Sequence, residues 1–392
     1  MGSWKSKFDS VPLGEICQLI AGQSPPSRDY NNNGEGLPFY QGKADFGELY
    51  PEPRVWCFRP IKTAETNDIL LSVRAPVGPT NLANEKCCIG RGLYAIRASE
   101  KVSHKFLLHY FRFMERSLAQ LGTGSTFKAI TKSALLTFEI PLPTLSAQRR
   151  IAAILDKADA IRRKRQATIK LADDFLRATF LDMFGDPVTN PKGWKTLPLK
   201  DVLERIDSGW SPRCYDREPS EGEWGVLKLG AVTTCSYIER ESKALPSDLS
   251  PRPELEVQKG DLLFTRKNTY DLVAACALVH STRSKLLLSD LIFRLRIKDP
   301  KTVTPAYLWA LLTHAGKRKQ IQGLAGGAAG SMPNISKGRL MEQEIEIPDN
   351  DLQIKFSLFL SKIIDLKNKL ISKGEGTELL FKSLTQRAFR GG

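Results

Sequence analysis

The four histidines, His104, His109, His280 and His314, and the seven cysteines are the residues best suited to bind a metal or act as nucleophiles. Their spacing favours neither role. His104 and His109 are five residues apart and do not share a helix face well, there is no CxxC pair, and the adjacent Cys87 and Cys88 are poorly placed for zinc. No GxxxxGK[ST] loop is present, and no glycine-rich fingerprint lies between a strand and a helix to cradle a dinucleotide or S-adenosylmethionine. Asn190-Pro191-Lys192-Gly193-Trp194 has only a superficial likeness to an Asn-Pro-Pro-Tyr motif and reads as a linker turn. Asp68 and Asp261 each precede an apolar run; a nuclease needs clustered carboxylates for Mg²⁺, so a lone aspartate opening a strand reads as a turn residue. The expectation is a binder with no catalytic residue, no metal and no cofactor of its own.

The bulk properties agree. The chain has 392 residues, enough for two or three domains, and 41% hydrophobic residues, ample for folded cores. Its net charge of +15 favours a polyanionic partner such as nucleic acid over a merely basic surface. Scattered, odd-numbered cysteines suit a reducing compartment. Met1–Ser10 lacks the apolar core of a signal peptide, and the longest apolar runs, such as Leu272–Val279, fall far short of a membrane span. A cytoplasmic protein without a membrane partner is expected.

The elements that carry any binding groups come in two copies, at an offset of roughly 185–207 residues. Val11-Pro12-Leu13-Gly14-Glu15-Ile16 matches Leu197-Pro198-Leu199-Lys200-Asp201-Val202, and Gly22-Gln23-Ser24-Pro25 matches Gly209-Trp210-Ser211-Pro212. Asp68–Ser72 matches Asp261–Thr265, Gly124-Ser125 with Ile130-Thr131-Lys132 matches Gly330-Ser331 with Ile335-Ser336-Lys337, and Phe138–Pro141 matches Ile345–Pro348. Five matches in one order indicate a duplication. Each copy opens with short β-prone runs separated by turns, among them Ile69–Val73, Leu93–Ile96, Leu262–Thr265 and Leu291–Ile297. A helical stretch follows, His104–Leu121 in one and Pro305–Ile321 in the other. Then comes a long helix. Ala147–Phe184 has no Pro or Gly and a sustained apolar stripe, a rod of ~55 Å. Leu352–Phe389 is its counterpart, with Gly374-Glu375-Gly376 expected to interrupt or kink it. An apolar stripe needs a partner; the economical one is the other long helix, packed antiparallel, and the alternative is that each helix packs on its own domain. The fold class is α/β (α+β): two globular domains, 1–143 and 187–349, separated by two long antiparallel helices, 144–186 and 350–392, as a pseudo-twofold internal repeat.

The run Ile140-Pro141-Leu142-Pro143-Thr144-Leu145-Ser146-Ala147-Gln148-Arg149-Arg150-Ile151 resembles the junction between a target-recognition domain and the long helix in the specificity (S) subunits of type I restriction–modification systems. Leu70–Gly78, Ile89–Leu93 and Gly124–Lys128 are similar to that family's recurring motifs, and the duplicated layout covers essentially the whole chain. The second copy departs at Pro348–Leu352 and lacks the Ala-Pro-Val-Gly turn after Thr265. The resemblance implies a non-catalytic subunit. Each globular domain would read half of a split double-stranded DNA target. The helices would set the gap and dock two modification subunits, which would hold S-adenosylmethionine and methylate adenine at N6; a motor-nuclease subunit would join for restriction. The alternative is a related defence or scaffold module that binds DNA without a methyltransferase partner.

Base reading needs donors and acceptors in loops that face a groove, with Arg to guanine and Asn or Gln to adenine as the usual pairs. In the first copy the candidates are Gln23, Ser24, Arg28, Tyr40, Gln41, Lys43, Arg74, Arg91, Thr126 and Lys128. In the second they are Trp210, Arg213, Tyr215, Lys228, Arg266, Lys267, Asn268, Tyr270 and Asn334. Contact with phosphate, or none at all, is open for each. On the helices, Arg162, Arg163, Arg165, Phe175, Phe359, Ile363 and Phe381 are candidates for partner contacts, the arginine run being otherwise a solvated face.

Overall fold

The computed structural model describes residues 8–122, 129–326 and 332–390. The chain divides into two compact units: Met1–Ala167 with Ile371–Gly392, and Thr168–Leu370. Each unit therefore owns one globular part and a stretch of both long helices.

In unit 1 an antiparallel sheet has the spatial order Cys17–Ala21, Leu93–Ala98, Ile69–Ser72, Thr80–Leu82. Unit 2 repeats it with Leu203–Ser208, Ile292–Ile297, Leu262–Thr265, Cys276–Leu278. The third strand of each is buried on both faces, which is why it reads as an unbroken apolar run instead of an alternation. In unit 1, Ile69, Leu71 and Ile96 face the helix at Phe106 and Leu107, while Leu70, Leu93 and Ala95 face a second sheet at Tyr40 and Ile89. Unit 2 has the same two layers, Leu262 and Phe264 against Tyr307 and Leu308, and Leu263 and Ile292 against Leu227 and Leu286. The second sheets contain a parallel pair, Phe39↔Cys88 in unit 1 and Val226↔Leu287 in unit 2.

Asp68 and Asp261 do close turns: one oxygen of Asp68 accepts the Glu65 N–H (2.8 Å), and Asp261 accepts that of Gln258 (2.9 Å). Both are also buried ion-pair partners of the neighbouring strand, which their position in sequence did not reveal. Arg97 grips Asp68 with two hydrogen bonds of 3.0 and 2.7 Å. Arg294 and Arg296 reach Asp261 at 3.3 and 3.2 Å and share Asp207.

The helical stretches late in each domain are broken once: His104–Phe113 and Glu115–Leu121 meet at Met114, and Pro305–Thr313 and Ala315–Gln322 meet at His314, whose extended ψ of 130° ends the first of them. The long helices run Leu145–Phe184 and Asn350–Arg390. The expected interruption at Gly374–Gly376 is absent. Two glycines cost a helix about 2 kcal/mol, and packing repays that: the Arg165 guanidinium lies against Gly374 and donates to the Thr377 hydroxyl at 2.9 Å. Within each unit the two helix stretches run antiparallel. In unit 1, Phe389 sits among Phe106, Tyr110 and Phe113, and Arg165 meets Thr377. In unit 2, Phe356 packs on Phe180 and Phe184, Phe359 on Phe175, and Lys367 pairs with Asp173.

A buried glutamine fastens each long helix to its globular part. Gln148 accepts the Ser103 N–H (2.8 Å) and donates to the carbonyls of Pro143 (2.9 Å) and Lys101 (3.2 Å). Gln353 accepts the Thr304 N–H (2.8 Å) and donates to Pro348 (2.8 Å) and Thr302 (3.0 Å). Replacing Gln353 by Ala strands three buried backbone groups. The expected loss is about 3 kcal/mol from the unfolding free energy of unit 2, measurable by urea titration of the full chain.

Candidate nucleic-acid interface

The loops that leave the ends of the two sheets in unit 1 converge. Gln23 N–H donates to the Ile89 carbonyl (2.9 Å), Gly90 N–H to the Tyr40 carbonyl (2.8 Å), and Val73 N–H to the Gly92 carbonyl (3.0 Å). These ties bring Ser24, Gln41, Lys43, Arg74 and Arg91 to one depression of about 200 Å³. Glycine makes the convergence possible. A Cβ on Gly92 would lie 2.2 Å from the Gln41 carbonyl oxygen, so the two loops touch backbone to backbone and their side chains point outward. Asp45 fixes the tip of the 40–43 loop by accepting the N–H groups of Gln41 (2.7 Å) and Gly42 (3.2 Å).

Gln23, Arg28, Gln41, Lys43, Arg74 and Arg91 are exposed. None of the four basic residues pairs with a carboxylate among the described residues, whereas Arg54 nearby is turned toward Asp45. The result is a cluster of available guanidinium, ammonium and amide donors. Tyr40 does not belong to it: its side chain is 1% exposed in the core between the sheets, where burial pushes the phenol well above its ordinary pKa, so it cannot reach a base. Thr126 and Lys128 lie outside the described residues.

In unit 2 the candidates are more tied down. Arg213, Tyr215 and Tyr270 are exposed. Trp210 lies under the Arg252 guanidinium, 4.5 Å from it, and Lys228 pairs with Glu241 at 3.2 Å. Arg266 stacks over Phe293, and Lys267 bridges to Asn334, both half-buried. Asn268 is a correction: it is buried, and its side-chain Oδ1 accepts the Thr269 N–H, so it shapes the loop from inside. Asn334 is half-buried with its backbone paired to Gly326.

On the helices of unit 1 the arginine run is not a simple solvated face. Arg162 and Arg163 both pair with Asp159, at 2.7 and 3.3 Å, and Arg112 joins them at 3.5 Å. Asp159 is buried, and no signal in a lone aspartate of a basic helix identified it. Phe381 packs against the core of unit 1. In unit 2, Phe175 is exposed and edge-on to the half-buried Phe359, but Ile363 is 9% exposed and offers little surface to a partner. Other apolar side chains are more available: Leu171 and Leu358 in unit 2, and Ile154, Ile161 and Leu379 in unit 1, are exposed on the helices.

Among the described residues no group of three or more His, Cys, Asp or Glu could hold a metal ion. Burial pushes the Cys17, Cys87 and Cys88 thiols up to about 12, far from a reactive thiolate. His109 is buried and held by Asp156 at 2.8 Å, and desolvation lowers its pKa. No helix among the described residues is long and apolar enough to cross a membrane.

The chain matches the family model described as the type I restriction modification DNA specificity domain over residues 5–171 and 191–379. It is 44% identical over 178 residues to the MjaX type I restriction enzyme specificity subunit of Methanocaldococcus jannaschii, a match covering 44% of this chain and 42% of that protein. It is 33% identical over 207 residues to the EcoEI specificity subunit of Escherichia coli, covering 52% of this chain and 35% of that one. The matches thus span less than half the length of either relative. A type I S subunit structure from M. genitalium covers 99% of this chain and 98% of its own with a TM-score of 0.65; at 12% identity, what it shares is the fold.

The close approach at Gly92 has a measurable consequence. Gly92→Ala must push the 40–43 loop away and should cost about 2 kcal/mol or more, whereas Gly42→Ala, with extended backbone and nothing within 4 Å, should stay within about 0.5 kcal/mol of the parent; thermal unfolding of the two variants checks this.

Proposed function

Because the chain belongs to the type I restriction modification DNA specificity domain family, we propose that it is the non-catalytic subunit that reads a split double-stranded DNA target and brings separate modification subunits to it. The observation that carries this reading is the rim of unit 1, where Gln41, Lys43, Arg74 and Arg91 stand together at the loop ends without a carboxylate partner among the described residues. Lys and Arg there would neutralise phosphates, and the planar fork of an arginine or the amide of Gln41 would read a base edge. The net charge of +15 favours the encounter with DNA.

Exposed apolar side chains on the long helices, Leu358 in unit 2 and Leu379 in unit 1, would contact the modification subunits, of which there would be two. Those subunits would hold S-adenosylmethionine and methylate adenine at N6, and a motor-nuclease subunit would add restriction. The chain itself positions and selects, and works in the cytoplasm.

A base-resolution methylation map tests the reading. Cells carrying this chain and its modification subunits should show one split, asymmetric adenine motif that vanishes when the gene is removed. Methylation or cleavage of DNA by the purified chain alone would overturn it. For the rim, Arg74→Ala should weaken binding to all sequences alike and reduce the slope of log affinity against log salt by about 1.

A further inference from the structure

The two units hold opposite charges at one equivalent position, and the hydrogen-bond register fixes the equivalence. Gln23 N–H donates to the Ile89 carbonyl as Trp210 N–H does to Leu288, both at 2.9 Å. Val73 N–H donates to the Gly92 carbonyl (3.0 Å) as Arg266 N–H does to Leu291 (3.1 Å). Between these ties, Arg91 N–H donates to the Ser24 hydroxyl oxygen (3.4 Å), and Asp290 N–H to that of Ser211 (3.2 Å). Arg91 and Asp290 therefore occupy the same place in the register, and Arg91 shares one depression with Arg74.

An aspartate at this place is informative. Next to phosphate a carboxylate is repelled, so in a DNA-facing loop its favourable partners are the amino groups on base edges, above all cytosine N4. Asp290 is prepared for that role. The Ser211 hydroxyl donates to its Oδ1 while accepting its backbone N–H, and Oδ2 has no hydrogen bond among the described residues. Arg91, exposed and with no carboxylate partner, presents the fork that matches guanine O6 and N7. We propose that Arg91 and Asp290 are paired specificity-determining residues, Arg91 reading a guanine in one half of the target and Asp290 a cytosine in the other. This assignment rests on the DNA-reading function above. It makes the two halves of the target differ at matching positions although one scaffold presents both residues.

The test is the methylation map of cells carrying the full chain, or a variant, with its modification subunits. Asp290→Asn keeps the size and the Ser211 contact but exchanges a pure acceptor for an amide that suits adenine. It should admit A·T at one former C·G pair of one half-site, with discrimination there falling roughly tenfold or more, and leave the other half unchanged. Arg91→Ala should relax a single G·C pair in the opposite half. Asp290→Glu, which retains the carboxylate, should keep cytosine. Variants that methylate the parent motif with every position intact, or that loosen all positions together, overturn the assignment. A parent chain that yields no split motif at all overturns the function itself, a distinguishable result.

Discussion

Gln148 joins three backbone groups from two separate stretches of unit 1, and Gln353 does the same in unit 2. A primary amide has donors and an acceptor on one rigid plane, so three bonds fix both the position and the direction of the helix that carries it. The groups it satisfies, an amide at the start of the domain helix and carbonyls from the flanking loops, have no water to turn to once buried. Everything downstream inherits that geometry. The first turn of each long helix is locked to a sheet-and-helix layer, and the loops at the sheet ends are held in place by the same layer. A second bond in each unit reinforces the first: Tyr110 donates to the Glu139 carbonyl, and Tyr307 to that of Glu346. The two tyrosines lie about one turn apart on their helices, so the bond is repeated while the residue position is not.

The elements with a strong periodic signal were legible in the sequence. Both long helices, the buried strands Ile69–Ser72 and Leu262–Thr265 and the twofold repeat follow from apolar spacing and turn residues. What the sequence concealed were pairings between residues far apart in the chain. Asp68 reads as a turn residue because its turn is local, while Arg97, which completes its ion pair, is on another strand. Gln148 and Gln353 are single matches between copies with different neighbours, and a lone matched residue carries no weight. Gly374 and Gly376 argued for a break because local propensity ignores the Arg165 contact across the helix pair.

The candidate site was legible to a similar degree. Exposed Gln, Lys and Arg in loops between strands were found by residue type and position, and Gln41, Lys43, Arg74 and Arg91 do share one rim. Tyr40 and Asn268 sit in the same stretches but point inward, since alternation along a strand end or a tight loop decides the face and composition does not. The charge contrast between Arg91 and Asp290 needed the hydrogen-bond register, because the residues around them, Gly90 and Gly92 in one copy and Ser289 and Leu291 in the other, share no pattern.

The division of the chain into its two units also sets an order of completion during synthesis. Unit 2 is a single continuous stretch, Thr168–Leu370, and all its core residues have been made by the time that stretch is finished. Unit 1 is discontinuous. Its core is filled by Phe389, which lies against Phe106, Tyr110 and Phe113 and is made nearly three hundred residues after them. The domain translated first is thus the last to close, and until the end of the C-terminal helix arrives it exposes an aromatic socket to whatever else is in the cell.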